Sequence, residues 1–296
     1  MKYVFIERHT RIWPASFQCQ VLGVSVSGYH QWRRRKTVPG GSTKQLSAGF
    51  LLASIRAIFS EVKGAYGWPR MYQELRARGL RVGKERVRKL MKENGLQARA
   101  RKKYRATTDS NHGLPVSPNL LKRNFQADAQ NQVWTGDITY CWTEEGWLYL
   151  AVVIDLFSRQ VVGFAMSKRM TRQLVIDALR MAWFRRRPAP GLIFHSDRGS
   201  QYASGDFQRL LKAFGMRGSM SRKGNCWDNA VTETLFGSLK VERLAGMRFP
   251  TRRAAKDEIM SWLTFYNHRR RHSTLGYISP MEFEKIRLAQ PSKAAA

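Results

Sequence analysis

The chain has 296 residues, 43% of them apolar, which allows one sizeable core with one or two small modules and excludes disorder throughout. Its 52 Lys+Arg against 21 Asp+Glu give a formal charge of +31, which points to a polyanionic partner. Nucleic acid fits better than a membrane surface, because basic and aromatic residues are spread along the chain and not gathered in one amphipathic helix.

In chain order, residues 1–45 read as a basic helical hairpin: a short helix, a turn at Gly23, and a helix begun by Ser25 or Ser27. That is a candidate helix-turn-helix, and a solvated hairpin reads equally well. Residues 38–42 form a flexible linker. Residues 46–98 predict three helices. The first, over 46–62, turns Leu46, Phe50, Ala53, Ile55 and Phe59 inward. The second, over 70–78, turns Met71 and Leu75 inward and stops at Gly79. The third, over 84–94, buries Val87, Leu90 and Met91 and presents Lys84, Arg86, Arg88 and Lys89 outward. Such a face can lie in a DNA groove, or it can be merely solvated. Residues 99–128 are a basic, Pro-containing linker that either tracks phosphates or is plainly solvated. Residues 1–128 hold 26 Lys+Arg and 7 Asp+Glu, whereas residues 129–296 hold 26 and 14, so the acids concentrate in the second half.

From residue 129 the pattern becomes mixed α/β. Strands over 133–141, 147–155 and 160–166, joined by short turns, predict an antiparallel meander. Asp155 is placed to shape the turn after the second strand. A helix over 171–185, a strand over 192–195 and a helix over about 204–214 follow, then a loop over 219–227. Val231, Leu235 and Leu239 lie at i, i+4, i+8 and predict a helix, with Asp228 as its cap. A last helix begins at 250–251 and turns Ala255, Ile259, Trp262, Leu263 and Tyr266 inward. The domain spans 129–288 and leaves a tail at 289–296. It has neither an internal repeat nor a Gly-rich phosphate loop of either standard kind.

Cys19, Cys141 and Cys226 are scattered and form no CxxC pair, which argues against a disulfide framework or a structural zinc site and suits a reducing compartment. His268 and His272 are four apart, but only arginines stand between His268 and His272, so they read as solvated or phosphate-facing. The apolar run at 3–6 is too short for a signal segment, and the longest, at 147–154, is too short to span a bilayer.

Asp137 falls on the first predicted strand, Asp197 at the end of the fourth, and Glu233 on a helix, with 35 residues between the last two acids. Three carboxylates on neighbouring elements suit phosphodiester chemistry with two Mg2+ ions, one activating the nucleophile and one holding the leaving oxygen. Taken singly, each has a blander reading: a polar strand residue, a turn cap, a solvated helix residue. Lys240 lies two turns past Glu233 on the same face, with Gly237 between them.

The stretches Trp134-Thr135-Gly136-Asp137-Ile138-Thr139-Tyr140 and His195-Ser196-Asp197-Arg198-Gly199-Ser200-Gln201-Tyr202, then Asp228-Asn229-Ala230 with Glu233, Leu239 and Lys240, resemble the DDE catalytic core of retroviral integrases and bacterial insertion-sequence transposases. Tyr66-Gly67-Trp68-Pro69-Arg70, Arg86-Val87 with Leu90-Met91, and Tyr266-Asn267-His268-Arg269-Arg270-Arg271-His272 narrow this to a resemblance to the OrfB transposase of the insertion sequence three family, over nearly the whole chain.

The resemblance implies an RNase H-like mixed sheet behind small all-α helix-turn-helix modules. It implies Asp137, Asp197 and Glu233 as catalytic metal ligands for Mg2+, with Mn2+ as a substitute. Lys240 and the basic run Arg269, Arg270 and Arg271 are then expected to contact DNA. The implied reaction is strand cleavage at the element's 3′ end and transfer of the freed 3′-hydroxyl to another strand, with no covalent protein–DNA intermediate. Implied partners are double-stranded DNA, an upstream reading-frame product (OrfA) as fusion or complex, and further copies of the chain on DNA. The implied location is the bacterial cytoplasm, at the nucleoid, with no membrane. A non-catalytic DNA-binding regulator and a structure-selective nuclease are the rival functions. The presence of all three acids weighs against the first, and Lys240 with the basic run against the second.

Overall fold

The computed structural model describes residues 2–37, 46–99, 115–122, 124–222 and 229–289. The chain opens with three short helices, α1 (Lys2–His9), α2 (Ala15–Val21) and α3 (Val26–Thr37), around Ile6, Cys19 and Tyr29. The Ser25 hydroxyl accepts the amide of Gly28 at 3.0 Å, so Ser25 opens α3 as expected. α1 was not expected, because KYVFIERH carries little amphipathic pattern.

Helices α4 (Ala48–Glu61), α5 (Trp68–Ala77) and α6 (Lys84–Glu93) form the second unit. Ser47 caps α4 by accepting the amide of Phe50 at 3.2 Å. The inward stripe of α4 is Leu51, Ile55 and Ile58, and Phe50 is 53% exposed. The predicted face was therefore turned by about one residue. Both phases place apolar side chains inward, and only the packing of α5 and α6 against α4 selects one. Gly79, at φ +80°, ends the α5 segment in a conformation that costs glycine nothing. This unit shares its core with a later helix through Phe265, whose ring centroid lies 6.2 Å from that of Tyr66.

Five strands follow: β1 (Val133–Thr143), β2 (Gly146–Asp155), β3 (Val161–Ser167), β4 (Ile193–Ser196) and β5 (Arg217–Met220). Their order across the sheet is β3-β2-β1-β4-β5. The first three form the expected antiparallel meander, and β4 and β5 run parallel to β1. Asp155 shapes the turn after β2 as read from sequence: its carboxylate accepts the amides of Phe157 at 2.9 Å and Asn131 at 2.7 Å. β5 occupies part of the segment read as a loop. Its residues, RGSM, have little strand preference, so pairing with β4 is what extends them.

Alternation along the strands gives the sheet two apolar faces. Trp134, Ala151, Val153, Val162 and Phe194 pack beneath α7 (Arg172–Arg186), α8 (Ser200–Ala203) and α9 (Gly205–Ala213). A Cβ on Gly163 would come within 2.3 Å of the Ala178 carbonyl, so β3 can lie this close to α7 only with glycine there. Cys141, Leu148, Leu150 and Val152 face the other way, onto α10 (Ala230–Leu239) and α11 (Arg252–His268). Helix α10 runs on into a π-helical turn, Lys240–Leu244. A further helix past the one read from 250–251, α12 (Pro280–Ala289), closes the domain through the Glu284–Arg186 pair at 2.7 Å. The linker at 38–42, residues 100–114 of the basic linker and the tail from 290 lie outside the described residues.

Candidate active site

The parallel ladder of β1 and β4 pairs Thr135 with His195 and Gly136 with Ser196, and stops there. The next residue along each segment is an acid, Asp137 on β1 and Asp197 just past the end of β4. Neighbouring strands lie about 4.8 Å apart, so the ladder sets these residues side by side at the carboxyl end of β4. Gly136 allows the approach: a Cβ there would meet the Phe194 ring at 2.6 Å. Sixty positions of sequence separate the two acids.

Each aspartate is held by a backbone amide. Asp137 Oδ1 accepts from Ile138 N at 2.7 Å, and Asp197 Oδ1 from Gly199 N at 2.9 Å. The Arg198 guanidinium donates to the Ser221 carbonyl at 2.7 Å and ties the loop after Asp197 to the end of β5. His195, which opens this motif, is buried, with Nδ1 2.9 Å from Ser219 Oγ and Nε2 3.3 Å from Ser221 Oγ. It clamps β4 to β5.

Glu233 reaches the same place through Asn229. The Asn229 carboxamide oxygen accepts from Thr135 Oγ1 at 3.1 Å and also from Thr232 Oγ1. Thr135 lies two residues before Asp137 on the same face of β1, so the first turn of α10 is pinned over that face and Glu233 stands one turn on. Asn229 occupies the N-cap position, and the residue predicted to cap, Asp228, lies outside the described residues.

The electrostatics record the gathering. Asp137 is held well above the usual carboxylate range, first by burial and then by the charges of Asp197 and Glu233, while the Ile138 amide and Lys240 act in the opposite sense. Burial raises Glu233, even though its side chain keeps an open face. Burial and the charges of Asp137 and Asp197 push the Tyr202 phenol well above its ordinary value. Tyr202 is 2% exposed, and sequence alone gave no sign that it stands behind both aspartates. The Lys240 ammonium lies 5.2 Å from the Tyr140 ring centroid. Among the described residues, no three His, Cys, Asp or Glu side chains stand close enough together to hold a metal ion as they are placed here. The charges of Asp197 and Glu233 are felt at Asp137, but the three side chains are not drawn together.

The residues expected to contact DNA divide. Lys84, Arg88 and Lys89 are exposed on α6. Arg88 and Lys89 carry surface partners on their own helix, Glu85 at 2.8 Å and Glu93 at 3.8 Å. Arg86 does not share that face: it is half-buried and its guanidinium donates to the Leu46 carbonyl. Arg269, Arg270 and Arg271 do not form an open strip. Arg270 is 3% exposed and grips the Glu242 carboxylate with Nε at 2.9 Å and Nη2 at 2.6 Å. Arg271 pairs with Glu74 at 2.7 Å and Arg269 with Glu61, both on the α4–α6 unit. The phosphate-facing reading gives way to burial within the core for Arg270 and to a seam between the two units for Arg271. Glu242 joins that seam through Arg70 of α5, at 3.5 Å, and accepts from Trp262 Nε1 at 3.0 Å within the core. His272 is half-buried near Arg270, Arg159 and Arg70, and its ring is not solvated as expected.

Residues 127–226 match a family model described as an integrase core domain, and residues 214–280 match a second of the same description. Residues 48–104 match an HTH-like domain. The chain is 46% identical over 290 residues to the transposase InsF for insertion sequence IS3A of Escherichia coli strain K12, spanning 98% of this chain and all of that one. It is 45% identical over 268 residues to the 31 kDa protein of insertion element IS600 of Shigella sonnei, spanning 90% of this chain and 97% of that one. Among solved structures, a simian T-cell lymphotropic virus intasome in complex with PP2A regulatory subunit B56 gamma aligns at a TM-score of 0.48 and 16% identity, over 82% of this chain and 76% of that one.

Proposed function

Because the chain belongs to the IS3 family of transposases, we propose that Asp137, Asp197 and Glu233 are the acids with which it cuts and joins DNA. The observation that carries this is the pairing of β1 with β4, which ends on two adjacent aspartates beneath the helix of Glu233. The donor set fits a hard divalent cation: these are carboxylate oxygens, gathered where their charges oppose one another and burial opposes each. Bound there, Mg2+ as two ions, or Mn2+ in its place, supplies activation of the attacking hydroxyl and stabilisation of the leaving oxygen.

The chain's own part is positional. The amides of Ile138 and Gly199 fix the two aspartates before substrate arrives. Lys240 meets the negative charge of the reacting strand beside Asp137. Water attacks phosphorus at the element end, the bond to the bridging 3′ oxygen breaks, and that oxygen takes up a proton. The freed 3′-hydroxyl then attacks a second phosphodiester in the same way, and the protein never becomes covalently joined to DNA.

Double-stranded DNA is held by Lys84, Arg88 and Lys89 of α6 within a unit spanning 46–98, with the core at 129–288 carrying the chemistry. Assembly of several copies on DNA, help from an upstream OrfA product and a place in the cytoplasm at the nucleoid complete the reading. Among the described residues no helix is long and apolar enough to cross a membrane.

The test is a cleavage-and-joining assay on element-end DNA with Mg2+. Asp137→Asn, Asp197→Asn and Glu233→Gln are each expected to lower both steps about a hundredfold or more, the effect of losing several kcal/mol of charge stabilisation. Binding should persist, since each change removes a negative charge. Cleavage without joining in the wild type would mark a nuclease, and undiminished activity in any of the three variants would remove that residue from the site.

A further inference from the structure

The parallel ladder along β1 stops at Gly136, and the hairpin to β2 continues to Thr143. A groove of about 490 Å³ lies between this hairpin and residues 240–249. The hydrogen bond from Glu144 N to Phe249 O, at 3.0 Å, pins the two sides together.

The walls of the groove are aromatic. Trp147 stands edge-on to Tyr140, with centroids 5.0 Å apart, and to Trp142, at 4.8 Å. Trp142 is 57% exposed and Trp147 43%. In contact with each other, the two tryptophans make one continuous exposed aromatic patch, the kind of surface that marks an interaction site. The groove's cations are Lys240, beside Tyr140, and the exposed Arg248. Its volume is that of a small-ligand site, roughly 300–1,000 Å³, and too small for a duplex.

We propose that this groove binds an unpaired nucleotide of the DNA strand next to the phosphate at Asp137, its base stacked on the more open Trp142 with the Trp147 ring at its edge, and its phosphate met by Lys240 and Arg248. Open aromatic faces stack any base, and flanking cations track the backbone. Continuity with the acids fixes which strand is bound. Tyr140 is three residues past Asp137, about 10 Å along the strand and on its other face, and Lys240 links the two, its charge acting on Asp137 and its ammonium lying 5.2 Å from the Tyr140 ring centroid. Stacked DNA rises about 3.4 Å per nucleotide, so the groove is reached within about three nucleotides. Holding one nucleotide outside the duplex draws the reacting strand away from its complement and across the carboxylates. The origin of the nucleotide rests on the reading of Asp137 as a reaction-centre acid. The binding itself does not.

The experiment titrates the full-length protein, without divalent metal, against a blunt duplex and the same duplex with a short single-stranded 3′ extension. Wild type is expected to prefer the extended ligand. Trp142→Ala with Trp147→Ala should lose that preference, binding the extended ligand at least about fivefold more weakly and the blunt one as before. Trp142→Phe with Trp147→Phe, which keeps aromatic faces, should restore most of it. Equal losses on both ligands, or no loss on either, would overturn the proposal, and the second result is what a groove for a protein strand would give. Asp197→Asn should keep the preference for the extended ligand while losing Mg2+-dependent cleavage. Wild type that cleaves nothing would therefore count against the acid site alone.

Discussion

At the scale of single residues the acid site costs the fold stability. Burial and the charges of Asp197 and Glu233 oppose the charged form of the Asp137 carboxylate in the metal-free protein. Asn in its place removes the charge and keeps an oxygen to accept the Ile138 amide. Asp137→Asn is therefore expected to raise the Tm of the metal-free protein, by about 2–4 °C for each kcal/mol of repulsion relieved. Mg2+ should raise the Tm of the wild type and leave the variant nearly unmoved. Thermal unfolding in EDTA and in Mg2+ measures both, and a variant less stable than wild type in EDTA would contradict this account. All three acids were legible in the sequence as types at a spacing. Their adjacency was not, because it depends on β1 and β4 pairing across sixty positions. Asn229 and Tyr202 were less legible still: each acts through a contact made only in the fold, Asn229 on Thr135 and Tyr202 behind both aspartates.

At the scale of elements, the strands and helices of the core were readable wherever alternation or a cap was strong. Ser204 and Thr251 do cap the helices they were expected to start, accepting the amides of Phe207 at 3.4 Å and Ala254 at 3.1 Å. Where apolar residues crowd a helix, as in α4, the buried phase was decided by its partners, and where a strand is short and polar, as in β5, only pairing revealed it. Helix α6 tests the same distinction for function. Lys84, Arg88 and Lys89 point to solvent, and the exposed pairs of Arg88 and Lys89 are worth only about 0–1 kcal/mol, so a phosphate can displace those partners. Each of Lys84→Ala, Arg88→Ala and Lys89→Ala should reduce the slope of log K against log salt by about one unit. Arg86→Ala should leave that slope alone and lower stability, because its guanidinium serves the Leu46 carbonyl. Titrations over a range of salt check this, and an unchanged slope in the triple variant would mark the face as merely solvated.

At the scale of the whole molecule a charge of +31 binds any duplex, and that attraction carries no sequence information. The chain by itself is therefore expected to prefer element ends over unrelated duplex by a ratio near one at physiological salt. A ratio of roughly a thousand, typical of dedicated site-specific binders, would show that it needs no OrfA partner for recognition. Much of the basic carboxy-terminal run that suggested a DNA surface is instead turned inward to join the α4–α6 unit to the core. Its pairs span distances no local pattern reveals, with Arg269 reaching Glu61 and Arg271 reaching Glu74. His272 sits at this seam, accepting or donating at 2.8 Å to Thr274 Oγ1 and ringed by the charges of Arg270, Arg159 and Arg70. Burial and those three cations lower its pKa from 6.5 to about 3. Above about pH 6.5 the ring is neutral in both the folded and the unfolded chain, and the seam loses nothing. Between 6.5 and about 3 only the unfolded chain takes up the proton, so stability falls as pH falls, by at most about 1.4 kcal/mol per pH unit. In the window from pH 6.5 to 5 most carboxylates stay ionised, and the groups that wild type and a His272 variant share cancel in their comparison. His272→Asn keeps a polar atom for Thr274 and removes the titrating ring. Denaturant unfolding across that window should show a shallower loss of stability in the variant than in the wild type, and parallel curves would mean that the seam does not exclude the proton from His272.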